Sequence, residues 1–216
     1  MRLDGPRHPP ATGAAPARIV LLLHGYGADG DDLIGLAPAW APAMPDALFV
    51  SPHAPFPCEG APFGRQWFGL LGGGDALRLA GLRAASAMVD GFIDDLLEET
   101  GLPPSALTLA GFSQGTMLAL HAGPRRAEPL AGILGYSGRL LAPELLEREA
   151  QSRPPVALIH GERDELVPYA SMAEAAAALE GAGFAVETHG RPGLGHGIDP
   201  AGMQAGLAFM ARLAGR

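Results

Sequence analysis

Hydrophobic positions along this chain fall into two alternating kinds of segment. Residues 18–24 (RIVLLLH) form a continuous apolar run rich in branched side chains, the pattern of a strand covered on both faces. Similar short runs recur at 47–51, 107–110, 131–136, 156–160 and 184–188. Between them the apolar residues take helical spacing. Leu33, Leu36, Ala37 and Trp40 make one such face, and Leu82, Ala85, Val89, Phe92, Ile93 and Leu96 another, within a helix predicted over 79–100 and closed by Gly101 and Pro103. Further helices are predicted over 114–122, briefly around 143–150, over 169–179, and in a last segment with Met203, Leu207, Met210 and Leu213 on one face. Strands alternating with helices predict an α/β fold, with a mostly parallel central sheet, right-handed crossovers and helices on both faces.

Two stretches interrupt this rhythm. Residues 1–17, with four prolines, read as an irregular arm or a weak edge strand, which leaves 18–216 as one domain. Residues 52–74 form a long segment without periodicity that nonetheless carries Phe56, Phe63, Trp67, Phe68 and Leu70. Loops of this length are commonly functional. The expectation is that this one folds over an end of the sheet as a wall of a ligand pocket, with Phe63, Trp67 and Phe68 facing the ligand. Leu166 and Leu194, on loops that follow strands, join the expected lining. Only about 20 residues separate the strand ending at Tyr136 from the one beginning at Val156, which leaves no room for a lid domain and predicts an open, shallow pocket.

Candidate chemistry begins where the run at 107–110 meets the helix after it. Gly111-Phe112-Ser113-Gln114-Gly115 has the G-x-S-x-G form of a nucleophile elbow, a strained strand-to-helix turn that presents a serine hydroxyl above the sheet. Glycines stand two positions either side because strand and helix pass too closely there for a Cβ. Ser137, in Gly135-Tyr136-Ser137-Gly138-Arg139, lacks the last glycine of this pattern.

A serine hydroxyl near neutral pH needs a base, and the base needs an acid to orient it. On an α/β sheet with such an elbow the order is Ser, then Asp or Glu, then His. Of the seven histidines, His24 and His53 precede the serine, while His8 lies in the arm and His121 within a helix. His160 and His189 stand at strand ends and read as structural hydrogen-bonders. His196, in the Gly193-Leu194-Gly195-His196-Gly197 loop, is best placed as the base. Asp164, four residues past the strand ending at His160, is the preferred acid, with Glu162 and Glu165 as alternatives; Asp199 reads as the cap of the last helix. Oxyanion donors are expected from the backbone N–H of Gln114 and, in the glycine-rich loop after His24, of Tyr26. Asp29, Asp31 and Asp32 read as helix capping.

Composition narrows the remaining classes. The chain has 216 residues, 48% of them hydrophobic, enough for a sizeable core despite 31 glycines and 21 prolines. A net charge of −8 with no basic cluster argues against nucleic acid and against stable association with anionic membranes. The single cysteine, Cys58, excludes an intrachain disulfide, and no apolar run has the length of a signal core or membrane span; the expected location is cytoplasmic. No histidine pair stands at helical spacing and no Cys/His cluster occurs, so no metal site is expected.

Taken together, Leu23-His24-Gly25-Tyr26-Gly27, Gln66-Trp67-Phe68, the elbow, His160-Gly161 with Asp164, Val167 and Pro168, and Gly195-His196 resemble the phospholipase/carboxylesterase family of α/β-hydrolases over nearly the whole chain after residue 18. The resemblance implies Ser113, Asp164 and His196 as a catalytic triad, in agreement with the order reasoning. It implies hydrolysis of small-molecule carboxylic esters through an acyl-enzyme without a cofactor, with thioesters and lysophospholipids as further acyl substrates of the same chemistry, and it specifies no oligomeric state. A non-catalytic binding protein on such a scaffold would usually lack a triad member, and none is missing.

Overall fold

The computed structural model describes residues 3–213. Seven strands, β1 (Arg7–His8), β2 (Arg18–Leu23), β3 (Ala47–Val50), β6 (Leu107–Phe112), β7 (Gly132–Tyr136), β8 (Val156–Gly161) and β9 (Val186–Arg191), form one sheet in the order β1-β3-β2-β6-β7-β8-β9. All neighbours are parallel except β1, which pairs antiparallel with β3 at Arg7↔Val50. A separate two-stranded hairpin, β4 (Phe56–Pro57) with β5 (Arg65–Gln66), lies inside the long segment after β3.

Helices cover both faces. On one side lie α3 (Gly74–Thr100), α4 (Gln114–Arg125), α5 (Leu146–Glu149) and α6 (Ala170–Gly181); on the other lie α1 (Gly30–Leu33), α2 (Ala37–Trp40) and α7 (Pro200–Leu213). The alternation within β2 shows why the strand is apolar throughout. Ile19, Leu21 and Leu23 enter the first core and Val20 and Leu22 the second, all fully buried.

The α3 face is the expected one, with Leu82, Ala85, Val89, Phe92, Ile93 and Leu96 buried. The helix starts at Gly74 rather than at 79 because its first turn is solvent-facing, held by an Arg78–Asp75 ion pair rather than by apolar residues. The helix expected across 33–40 is broken into α1, a 3-10 turn and α2, since Pro38 has no N–H to continue the ladder. The last strand begins later than 184, where Phe184 N–H instead closes the end of α6 on Leu179 O. In α7 Met210 is buried and Leu207 and Leu213 pack against the core as expected, and the most buried positions also include Gly202, Gly206 and Phe209. The helix backbone rests on Tyr136, whose hydroxyl donates to Gly202 O and would meet a Cβ at Gly206, while a Cβ at Gly202 would lie 2.8 Å from Asp199 Oδ1.

His121 gives the fold an acid sensitivity. It is buried in α4 with Nδ1 unpartnered, and burial, reinforced by the nearby Arg125 guanidinium, lowers its pKa to about 4. The unfolded chain therefore takes up this proton first. The stabilisation is complete above the ordinary histidine value and is lost as pH falls from about 6.5 towards 4, by up to about 3 kcal/mol. Urea midpoints measured from neutral pH down to about pH 4.5 should fall, and should fall less in His121→Gln; midpoints unchanged across that window would contradict this reading.

Candidate active site

The elbow is built as its glycines require. Ser113 sits at φ 54°, ψ −112° between β6 and α4, a conformation costing about 1–3 kcal/mol in a non-glycine residue. Its N–H donates to Tyr136 O at 2.9 Å and its carbonyl accepts from Met117 N–H at 3.1 Å, which holds the strained turn from both sides. A Cβ on Gly111 would lie 2.4 Å from Gly115 C, and one on Gly115 would lie 1.8 Å from Leu23 O. Strand β2, strand β6 and helix α4 thus meet backbone to backbone beneath the serine.

His196 and Asp164 converge from loops after β9 and β8. The His196 ring donates from Nδ1 to Asp164 Oδ2 at 2.7 Å, which leaves Nε2 as the free acceptor, and it stacks against Phe112 with centroids 4.9 Å apart. Asp164 has a fully buried side chain. Its Oδ1 accepts from Leu166 N–H at 2.9 Å and Val167 N–H at 2.8 Å. Burial alone would raise this carboxyl; the Val167 N–H, the His196 ring and the Leu166 N–H outweigh it and hold the group below the usual carboxylate range. Glu162 and Glu165, the alternative acids, are exposed. Ser113 and His196 line one cavity of about 350 Å³. No hydrogen bond joins Ser113 Oγ to the ring among the described residues; such bonds commonly tighten only with substrate.

His160 is also part of this cluster. Its Nε2 lies 2.9 Å from Val167 O and 3.1 Å from Asp164 Oδ2. Both partners are acceptors, so Nε2 carries the proton and supplies a further donor to the carboxylate.

The loop after β2 is held by side-chain contacts of His24, Trp67 and Gln114 that the sequence pattern did not reveal. His24 is buried, its Nδ1–H donating to Gly25 O at 2.8 Å and its Nε2 accepting from Ala54 N–H at 3.0 Å. Burial lowers its pKa and favours this neutral form. Trp67 Nε1–H donates to His24 O at 2.9 Å. The Gln114 side chain accepts from Trp67 N–H at 2.9 Å and donates to Phe68 O at 2.7 Å. Gln114 therefore clamps the 66–68 segment with its side chain while, as the first residue of α4, its N–H has no intrahelical acceptor. Gly25 packs on Ser113, a Cβ there falling 3.4 Å from the serine Cβ, which brings the following Tyr26 to the same cavity.

Of the expected lining, Leu166 faces the cavity together with Leu70, Phe112, Met117, Val167 and Pro168. Phe63, Trp67, Phe68 and Leu194 do not. Trp67 and Phe68 are buried in the core under the loop, anchored through the Gln114 clamp, and Phe63 is 79% exposed at the tip of the hairpin loop. Leu194 meets β8 through its backbone, which packs on Gly161 and accepts from Arg163 N–H at 2.9 Å. The long loop still forms a wall, but through Leu70, whose N–H, with that of Leu71, is tied to Glu59 Oε1 at 2.8 Å. The Arg78 and Arg139 side chains, which sequence pattern did not single out, complete the lining.

Asp29, Asp31 and His53 bring ligand-type atoms within 4.8 Å of one another. Asp29 accepts from Asp31 N–H and His53 Nδ1 from Gly30 N–H, so two of the three already serve to cap the start of α1. No helix among the described residues is long and apolar enough to cross a membrane.

Comparison with known proteins extends these observations. The family model for Phospholipase/Carboxylesterase matches residues 11–214. Esterase YpfH of Escherichia coli (strain K12) is 34% identical over 88% of this chain and 80% of its own length. Acyl-protein thioesterase 1 of Gibberella zeae is 30% identical over 89% of each. The crystal structure of esterase PE8 superposes with a TM-score of 0.94 at 43% identity, covering 99% of this chain and all of that one. A mostly parallel sheet bearing an elbow serine, matched over nearly its whole length by that family model and those relatives, places the chain in the phospholipase/carboxylesterase family of α/β-hydrolases.

Proposed function

We propose that the chain is a serine carboxylesterase that hydrolyses short to medium acyl esters of small molecules through an acyl-enzyme. The observation that carries this reading is the shared cavity in which the strained Ser113 faces His196, whose far nitrogen is fixed 2.7 Å from the buried Asp164 carboxylate.

In the first half-reaction Ser113 Oγ attacks the ester carbonyl carbon and its proton passes to His196 Nε2. The developing oxyanion is met by the N–H groups of Tyr26 and Gln114, the latter at the N-terminus of α4, where the helix dipole adds to the stabilisation. Collapse expels the alcohol, which leaves with the proton held on His196. Water then repeats the sequence on the acyl-serine, and Ser113 recovers its proton. Asp164 keeps the imidazole in the Nδ1–H tautomer and stabilises its cation. The apolar side chains of Leu70, Phe112, Met117, Leu166 and Val167 suit a short hydrocarbon acyl group.

One observation favours thioesters as a second substrate class, the similarity to acyl-protein thioesterase 1. Rates on 4-nitrophenyl esters from two to sixteen carbons, beside matched thioesters, test both. The expected result is a maximum at short to medium chains with esters preferred. A clear preference for the longest acyl chains would defeat the carboxylesterase reading, and faster turnover of thioesters would replace it with the second.

A further inference from the structure

The cavity at Ser113 is lined by two arginines, Arg78 and Arg139, and by no carboxylate, in a chain whose net charge is −8. Among the described residues Arg78 pairs with Asp75 alone, whose side chain is 99% exposed, a pairing worth little in water. Arg139 forms no ion pair among the described residues, and its Nε is buried without a hydrogen-bond partner. Arg18 and Arg126 also bury an unpartnered Nε, but each forms an ion pair, whereas the Arg139 charge has none among the described residues.

The backbone shows that Arg139 is held in place. It follows Ser137 and Gly138 at the end of β7, and Ser137 adopts φ 46°, one of three positive values among the described non-glycine residues. Ser137 N–H donates to Ile159 O at 2.9 Å. Gly138 packs against α4 so closely that a Cβ there would lie 3.0 Å from Ser113 O. This second strained turn therefore stands directly beside the elbow, and strain of this kind persists where the surroundings over-determine it. Beside the Ser113 cavity lies another of about 520 Å³ that shares both arginines but is also lined by Asp75, Glu144 and Glu174, so the place for an anion is the Ser113 side of the arginines, where no carboxylate stands. Only the acyl group remains on Ser113 in the acyl-enzyme, so a contact between the arginines and the acyl group acts in both half-reactions.

We propose that Arg139, with Arg78 beside it, selects substrates whose acyl chain ends in an oxyanion, a carboxylate or a phosphate-type group. Guanidinium binds either one through paired N–H donors, here those of its terminal nitrogens. The proposal rests on the esterase reading and narrows its substrate class.

The test compares kcat/KM for mono(4-nitrophenyl) adipate, 4-nitrophenyl 6-phosphonohexanoate and the uncharged 4-nitrophenyl hexanoate, each corrected for spontaneous hydrolysis. Wild-type protein should favour at least one anionic ester over the hexanoate by about tenfold or more, and which one it favours identifies the oxyanion. Arg139→Met should lower that ratio about tenfold, Arg139→Lys should retain part of it, and raising salt to about 0.5 M should reduce it in the wild type. A wild-type ratio of one or less for both anionic esters, or an Arg139→Met variant that slows all three esters alike, would overturn the proposal. Should Arg139→Met fail to fold, the wild-type ratio and its salt dependence decide alone. Turnover of none of the three would instead overturn the esterase reading, and the anion preference with it.

Discussion

With Asp164 replaced by asparagine, kcat on a short 4-nitrophenyl ester should fall by about four orders of magnitude. The amide oxygen can replace Oδ1 and keep the Leu166 and Val167 N–H groups satisfied. That fixes the amide NH2 on the other side, facing His196 Nδ1 and His160 Nε2 where Oδ2 now accepts. An NH2 cannot accept from Nδ1–H, so the imidazole moves its single proton to Nε2 and offers Ser113 a donor instead of a base. His160, already bonded to Val167 O, loses its second acceptor, and a fall in stability of about 1–3 kcal/mol should accompany the change. Steady-state kinetics beside a thermal melt separate the two effects. A loss below about tenfold in a folded variant would mean that Asp164 does not set the tautomer.

Gly115→Ala should be the most damaging single methyl in the chain, destabilising the fold by more than about 4 kcal/mol. The added Cβ would lie 1.8 Å from Leu23 O and 2.8 Å from His24 O, and both are backbone atoms of the central strand and its exit loop. A flexible side chain could swing aside; β2 cannot, because it is paired with β3 on one side and β6 on the other. Relief requires α4 to move off the sheet, which also carries Gln114 away from Trp67 and Phe68. The expected outcome is insoluble expression or a melting temperature lowered by at least about 10 °C, and a variant within about 1 kcal/mol of wild type would show that the helix can shift freely.

The same two glycines explain why the elbow was legible in the sequence. Its requirement is local: two missing side chains around one serine, with a buried strand before and a helix after. The fold class was legible for a related reason, since β2 must be apolar on both faces to lie between two helical layers. That Asp164 and His196 would meet could be read because chain order and strand ends restrict which loop residues come together. The pocket lining was not legible. Whether Trp67 faces a ligand or the core depends on a partner far along the chain, the Gln114 side chain, and an aromatic residue serves equally well in either place. The close approach of α7 to Tyr136 escaped because it is made at Gly202 and Gly206, and apolar periodicity cannot register a surface whose function is to have no side chain. Arg139 escaped because its placement depends on the strained backbone at Ser137, which local composition does not reveal.

If Ser113 is the activated nucleophile, it alone among the serines should react with an acylating or phosphonylating probe. Stoichiometric treatment with a fluorophosphonate probe, read as intact mass and as the modified peptide, tests it most directly. The expected result is one probe per chain, carried by Ser113, and none in a folded Ser113→Ala variant. A folded wild-type protein that stays unlabelled, or that carries the probe at another residue, would contradict it.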